Sequence, residues 1–259
     1  MPTATVDNRK ISMDFRGAGT DRILLIHGVA SGSSVWNLVT QSLPDNCRAI
    51  AIDLPGFGGS ERGDFSGNIE DAATVVHKAL HSIGQTEPLF LLGHGYGGLV
   101  CLSLASRFPS HVNRLALVST AGFEPDPTAL LSRLASLEQD GWDKDKATDW
   151  IREGLAELPA DDHLDSLCEE MARVDQDLIA SCLRHQATKV FLETADSIGS
   201  PTLLIRGSED TAVGPTDIHV LKARLKNVET VTIDGVGQQP ALEAPDELRI
   251  EISRFFNLQ

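Results

Sequence analysis

The apolar positions of the chain fall into two alternating textures. Short aliphatic and β-branched runs, Arg22 to His27, Arg48 to Asp53, Leu89 to Gly93, Val112 to Ser119, Thr202 to Arg206 and Val228 to Ile233, read as strands. The first of these is continuously apolar, as expected of a strand buried on both faces. Between them lie longer stretches of helical period: Asn68 to Ile83, Tyr96 to Phe108 stopped at Pro109, Thr216 to Leu225, and a closing helix from Asp246 to Phe256 behind Pro245. Ser33 or Ser34 stands where a further helix needs a cap. Near the N-terminus Asp7, Asn8, Arg9 and Lys10 separate two extended stretches in the manner of a hairpin turn. This alternation predicts an α/β domain: a mostly parallel sheet of about eight strands with helices on both faces.

From about residue 124 to residue 197 the period is helical, acidic residues are frequent, Trp142 and Trp150 occur, and no strand is legible. The expected organisation is a core of residues 1–123 and 198–259 interrupted by a helical cap, 124–197. The length agrees, because 259 residues set against about 150 per domain make one large domain with an insertion.

Composition then removes several classes of function. Hydrophobic residues at 41% and charged residues at 23% are the mix of an ordinary globular core. The 22 Lys and Arg against 37 Asp and Glu leave a net charge of −15, the wrong sign for phosphate backbones or anionic lipid. Neither nucleic acid nor membrane is expected as a partner; a small-molecule ligand or substrate is, with homodimerisation left open. No run approaches the roughly 20 apolar residues of a membrane span, and the first ten residues lack the order of a secretory signal, which reads as cytoplasmic. Cys47, Cys101, Cys168 and Cys182 have no metal-ligand spacing and read as reduced core thiols. With no phosphate-binding glycine loop either, neither metal nor organic cofactor is expected.

Candidate chemistry concentrates between Leu89 and Gly98, where a buried strand runs into a glycine-crowded turn and then a helix. Such a corner aims one side chain and the helix N-terminal N–H groups into a common pocket. On these residues the chain, from about Asp7 to Phe256, resembles the α/β-hydrolase fold family. Gly93-His94-Gly95-Tyr96-Gly97 stands at the nucleophile elbow, for which the family pattern is G-x-S-x-G. His27-Gly28 after the third strand resembles the oxyanion-loop motif, and the run from Asp53 to Ser60 follows the fourth strand. Gly207-Ser208-Glu209-Asp210 matches the place of the acid, and Gly235-Val236-Gly237-Gln238-Gln239-Pro240 the turn that carries the histidine. The resemblance implies the hydrolase fold with an inserted cap, and a triad in which Asp210 is retained, Gly95 replaces the serine and Gln238 the histidine.

Glycine offers no nucleophile, and an amide takes no proton near neutral pH, so ordinary serine-esterase activity is the first reading to fall. The backbone apparatus survives: the N–H groups of Val29 and Tyr96 occupy the positions that resemble the oxyanion hole. The catalytic candidates are therefore Asp210, Tyr96 and Val29, and the ligand-binding candidates Gly95, Gln238, Ser31, His94, Phe123 and Val213. Asp210 and Gln238 are expected to hydrogen-bond, directly or through one water. His27 is expected to brace the oxyanion loop, and His94 to point away from the elbow along its strand. Of the remaining histidines only His185 is placed to reach a pocket. Ser31, Ser33 and Ser34 lack an adjacent base, and Cys101 reads as core. The leading expectation is a cofactor-free, non-covalent isomerase, lyase or cyclase acting on a carbonyl-bearing small molecule. A non-catalytic ligand-binding pseudoenzyme or receptor is the alternative, followed by a hydrolase with a relocated base, such as Asp210 activating water.

Overall fold

A computed structural model describes residues 3–120, 128–157, 163–188 and 192–258. Its strands are β1 (Thr3–Val6), β2 (Arg9–Arg16), β3 (Asp21–Ile26), β4 (Cys47–Ile52), β5 (Leu89–His94), β6 (Val112–Val118), β7 (Thr202–Gly207) and β8 (Val228–Ile233). They form one eight-stranded sheet in the order β1-β2-β4-β3-β5-β6-β7-β8. The β1·β2 and β2·β4 pairs are antiparallel, and every other pair is parallel. The hairpin turn is tighter than the four-residue reading. Only Asp7 and Asn8 make it, with φ of 47° and 62°, the pair of positive angles whose twist matches that of the flanking strands, so Arg9 and Lys10 already belong to β2.

The helices are α1 (Asn37–Thr40), α2 (Ile69–Ser82), α3 (Tyr96–Arg107), α4 (Thr128–Asp140), α5 (Lys144–Glu153), α6 (His163–Met171), α7 (Gln176–Thr188), α8 (Leu192–Asp196), α9 (Pro215–Arg224), α10 (Pro240–Glu243) and α11 (Pro245–Phe256). Four successive residues of β3, Ile23, Leu24, Leu25 and Ile26, are fully buried, which requires both faces of the sheet to be covered. One packed row holds α2, α3, α8 and α9, and a second holds α1, α10 and α11. Asn68 caps α2 by accepting the Asp71 N–H at 3.0 Å. Both α9 and α11 begin on a proline, one residue earlier than the periodicity indicates, because the first helical position needs no N–H donor.

Neither Ser33 nor Ser34 caps a helix. They open a short 3-10 turn behind Gly32 that has no side-chain cap, and tertiary contacts hold the segment instead. The Ser33 N–H donates to Asp53 Oδ1, and the Ser34 hydroxyl donates to Glu170 Oε2 on α6 at 2.5 Å.

Between β6 and β7 the described residues are helical, with α4 packed on α7 and α5 on α6. Trp142 and Trp150 meet edge to face, their ring centroids 5.7 Å apart. The last of these helices, however, packs with the core. α8 lies against α3 and α9, the Ser197 and Ser106 hydroxyls share a hydrogen bond, and Asp196 pairs with Arg224. Among the described residues no helix is long and apolar enough to cross a membrane.

Candidate active site

β5 ends at His94 and α3 begins at Tyr96, so Gly95 alone makes the turn. Its φ of 52° and ψ of −118° lie where a residue with a Cβ is strained. The Gly95 N–H donates to Val118 O at 3.0 Å, which pins the turn to the end of β6. Two residues on, a Cβ at Gly97 would lie 2.3 Å from Ile26 O. Only glycine lets the first turn of α3 approach β3 this closely.

The loop after β3 is held by His27. Its buried Nε2 accepts the Leu54 N–H at 3.0 Å, which leaves Nδ1 as the protonated nitrogen, and Nδ1–H donates to Gly28 O at 2.7 Å. Burial pushes the His27 pKa down, so the ring stays neutral and ties the Gly28–Val29 loop to the loop after β4. Asp53 reinforces the link, its Oδ1 accepting the Ser33 N–H at 2.6 Å and its Oδ2 the Gly59 N–H at 2.9 Å. The N–H groups of Val29 and Tyr96 meet no acceptor among the described residues.

Asp210 follows β7 and is 5% exposed. Its Oδ1 accepts the N–H groups of Ala212 and Val213, each at 2.9 Å, while Oδ2 is buried with no hydrogen-bond partner among the described residues. The last loop comes close by backbone contacts: the Gln238 N–H donates to Gly154 O at 2.6 Å, and Gln238 O accepts from His94 Nε2 at 2.9 Å. The Gln238 amide does not make the expected direct bond to Asp210. Its Oε1 turns toward the cap, 3.5 Å from Arg133 Nη1, because a guanidinium donor stands there.

A carbonyl can only accept, so His94 Nε2 is its protonated nitrogen, and burial lowers the pKa of this ring although the Asp210 charge opposes the shift. The neutral ring therefore carries its lone pair on Nδ1, beside Gly28; a Cβ added there would lie 2.9 Å from it. His94, Val29, Ser31, Gly95, Tyr96 and Gln238 line a common cavity of about 90 Å³, with Leu130, Arg133, Trp150, Met171 and Gln186 of α4, α5, α6 and α7 lining it too. The Tyr96 side chain is fixed in the core by its hydroxyl donating to Gly67 O at 2.8 Å. Ser119, at the end of β6, also lines the cavity, with φ of 44° and a buried Oγ that has no partner among the described residues.

A sequence profile of the alpha/beta hydrolase family matches residues 23–250. The chain belongs to that family. It is 26% identical to monoacylglycerol lipase abhd6-B of Xenopus laevis over 246 residues, spanning 86% of this chain and 71% of that one. It is 27% identical to pimeloyl-[acyl-carrier protein] methyl ester esterase of Nitrosospira multiformis over 269 residues, 92% and 95% of the two chains. The crystal structure of the enol-lactonase from Burkholderia xenovorans LB400 superposes with a TM-score of 0.86 at 20% identity, covering 99% of this chain and all (100%) of that one. These relatives carry the names of hydrolases, not of isomerases or lyases.

In this alpha/beta hydrolase the structure brings together six of the residues singled out from sequence and leaves two behind the wall. Asp210 is not at the cavity surface, and Val213 is fully buried and does not line the cavity, whereas Ala212 does. Phe123 lies outside the described residues. His94, expected to point away, faces the cavity because it closes the end of its strand and its ring bridges to the last loop. On α7 it is Gln186 rather than His185 that lines the cavity. The cap residues Arg133 and Trp150 were missed. The readable signal was an arginine at position 133 within the helically spaced apolar set Leu130, Leu134 and Leu137.

Proposed function

We propose that this alpha/beta hydrolase is a cofactor-free isomerase, lyase or cyclase that acts on a carbonyl-bearing small molecule without a covalent intermediate. The observation that carries the reading is the elbow: Gly95 keeps the strained turn at the start of α3 yet offers no atom to acylate. The Val29 and Tyr96 N–H groups, which meet no acceptor among the described residues, are the donors for the carbonyl oxygen. Polarising a carbonyl makes the neighbouring C–H acidic, and the neutral His94, with its Nδ1 lone pair at the cavity wall, is the proton acceptor. Asp210 acts from behind it, its negative charge stabilising the imidazolium that forms. The reading departs from the relatives' names because Gly95 and Gln238 stand where the resemblance places the hydrolytic serine and histidine.

One observation favours a second reading, a ligand receptor. The retained carboxylate of Asp210 is withdrawn from the cavity surface, and among the described residues no Asp or Glu lines the cavity. The test treats the purified protein with a fluorophosphonate, p-nitrophenyl acetate and a panel of ketones and enones, followed by mass spectrometry and NMR. The expected result is no adduct, no ester turnover, and conversion or proton–deuterium exchange of a carbonyl compound that His94→Gln abolishes. Ligand binding without exchange supports the receptor, and a labelled side chain with robust esterase activity refutes both.

A further inference from the structure

Arg133 occupies the apolar stripe of α4, one residue before Leu134, which is buried, and four before Leu137, which is buried too. A guanidinium in such a position loses hydration and calls for an anionic partner. Among the described residues none is supplied: no carboxylate oxygen of theirs lies within 4 Å of Arg133, and its hydrogen bond to them is the 3.5 Å contact to the neutral amide of Gln238. Glu153 and Asp210 act on it only as more distant charges, while burial lowers its pKa. The group is nonetheless held in place, its central carbon 4.8 Å from the Trp150 ring centroid, a stacking that fixes the fork and leaves donors unused.

Arg133 is also the one Lys or Arg among the described residues that line the cavity. The same cavity holds Val29, Gly95 and Tyr96, and apolar side chains such as Ile151, Leu167 and Leu183 make up much of the remaining wall. One guanidinium neutralises a monoanion, and its fork matches the two oxygens of a carboxylate; a phosphate dianion would keep an unpaired charge in an apolar enclosure. On the outer side, Arg133 and Trp150 border a second cavity whose other charged residues are Asp140, Lys146, Asp149 and Glu153, a surroundings that repels anions.

We propose that Arg133, braced by Trp150, is a carboxylate-recognising subsite, so that the ligand is a small oxo acid with its carbonyl at the Val29 and Tyr96 N–H groups and its carboxylate at the cap. This inference rests on the carbonyl-binding reading above. The net charge of −15 works against non-specific uptake of an acid, so a preference for the anion has to arise locally.

The test is isothermal titration of the full chain with levulinate and with levulinamide, which share a carbon frame and ketone and differ in the charge. Levulinate is expected to bind at least about tenfold more tightly to the unaltered protein, the discrimination typical of hydrogen bonds to a charged group. Arg133→Gln is expected to erase that preference while leaving levulinamide affinity unchanged, and Arg133→Lys to keep part of it. Equal affinity for the two compounds, or a preference that Arg133→Gln leaves intact, overturns the subsite and leaves the carbonyl reading standing. Failure of both compounds to bind overturns the two together. Should Arg133→Gln not fold, as judged by circular dichroism, Arg133→Lys decides: it loses the planar fork, so unchanged levulinate affinity refutes the proposal.

Discussion

Replacing Gly95 by Ser and Gln238 by His in one chain asks whether the remaining scaffold still knows how to hydrolyse an ester. The space is there. A Cβ at position 95 would have Ser119 O at 3.9 Å and Gly28 Cα at 4.0 Å as its nearest neighbours, ordinary van der Waals contacts. The cost is conformational, since serine must adopt φ of 52°, and strain of that kind amounts to about 1–3 kcal/mol. For a chain of this size that lowers Tm by about 2–4 °C per kcal/mol. At position 238 the backbone is fixed at both its N–H and its carbonyl, and Asp210 Oδ2 is buried without a donor among the described residues. An imidazole N–H that reached this oxygen would remove an unsatisfied group worth about 1–3 kcal/mol, offsetting much of the strain.

A nucleophile and its base act as a unit, so neither single variant is expected to gain much activity. The double variant is expected to hydrolyse p-nitrophenyl acetate at least ~100-fold faster than either, the lower end of what a positioned general base contributes. It should also take up a fluorophosphonate at residue 95. Steady-state kinetics and peptide mass spectrometry read both outcomes. If Gly95→Ser alone matches the double variant, another base already serves the elbow, with His94 the first suspect. If the double variant folds yet stays inert and unlabelled, Asp210 and residue 238 are not placed as a triad requires.

Three further outcomes follow from the same geometry. His94 is buried with a lowered pKa, so the unfolded chain binds a proton the folded one refuses; its contribution to stability is complete above about pH 6.5 and is lost as the pH falls below that value. His94→Gln, which does not titrate, should therefore flatten the decline in unfolding free energy between pH 6.5 and 5.5 by up to about 1 kcal/mol in urea titrations, and an unchanged slope would contradict neutral burial. Gly97→Ala, whose new carbon would meet Ile26 O at 2.3 Å, should lower Tm more than Gly95→Ala, whose new carbon would make only ordinary van der Waals contacts at 3.9 and 4.0 Å; the reverse ranking in differential scanning fluorimetry would mean that the elbow is misplaced. All four cysteines are free and buried, and burial pushes the Cys47 thiol up to about 11 and the Cys182 thiol up to about 12, so Ellman's reagent should detect no thiol before unfolding and four after it.

The strands and core helices were legible because both faces of this sheet are covered. Ile23 to Ile26 can be buried in succession only in such a sheet, and the 3.6-residue period of α2 and α3 marks helices laid against one. The elbow was legible for a related reason: Gly93, Gly95 and Gly97 are crowded by backbone or turn through a positive φ, and both are requirements that a residue type answers locally. The partners of α8 were not. It reads as one more helix of the stretch from 124 to 197, and only the tertiary structure packs it against α3 and α9.

What the sequence determined by itself is therefore the order of strands and helices, the corner at Gly95 and the identity of the groups standing at positions 95, 210 and 238. Tertiary structure alone decided which of those groups meet. The Gln238 amide was free to face Asp210 or Arg133, and the choice fell to a guanidinium from a helix 105 residues away in the chain. His94 alternates along β5 like any strand residue, yet it is turned into the cavity by the backbone oxygen of a loop 144 residues on. Periodicity reports the face a residue presents to its own element. Which partner waits at that face depends on how separate elements pack, and hydrogen bonds between distant residues leave no mark on local pattern.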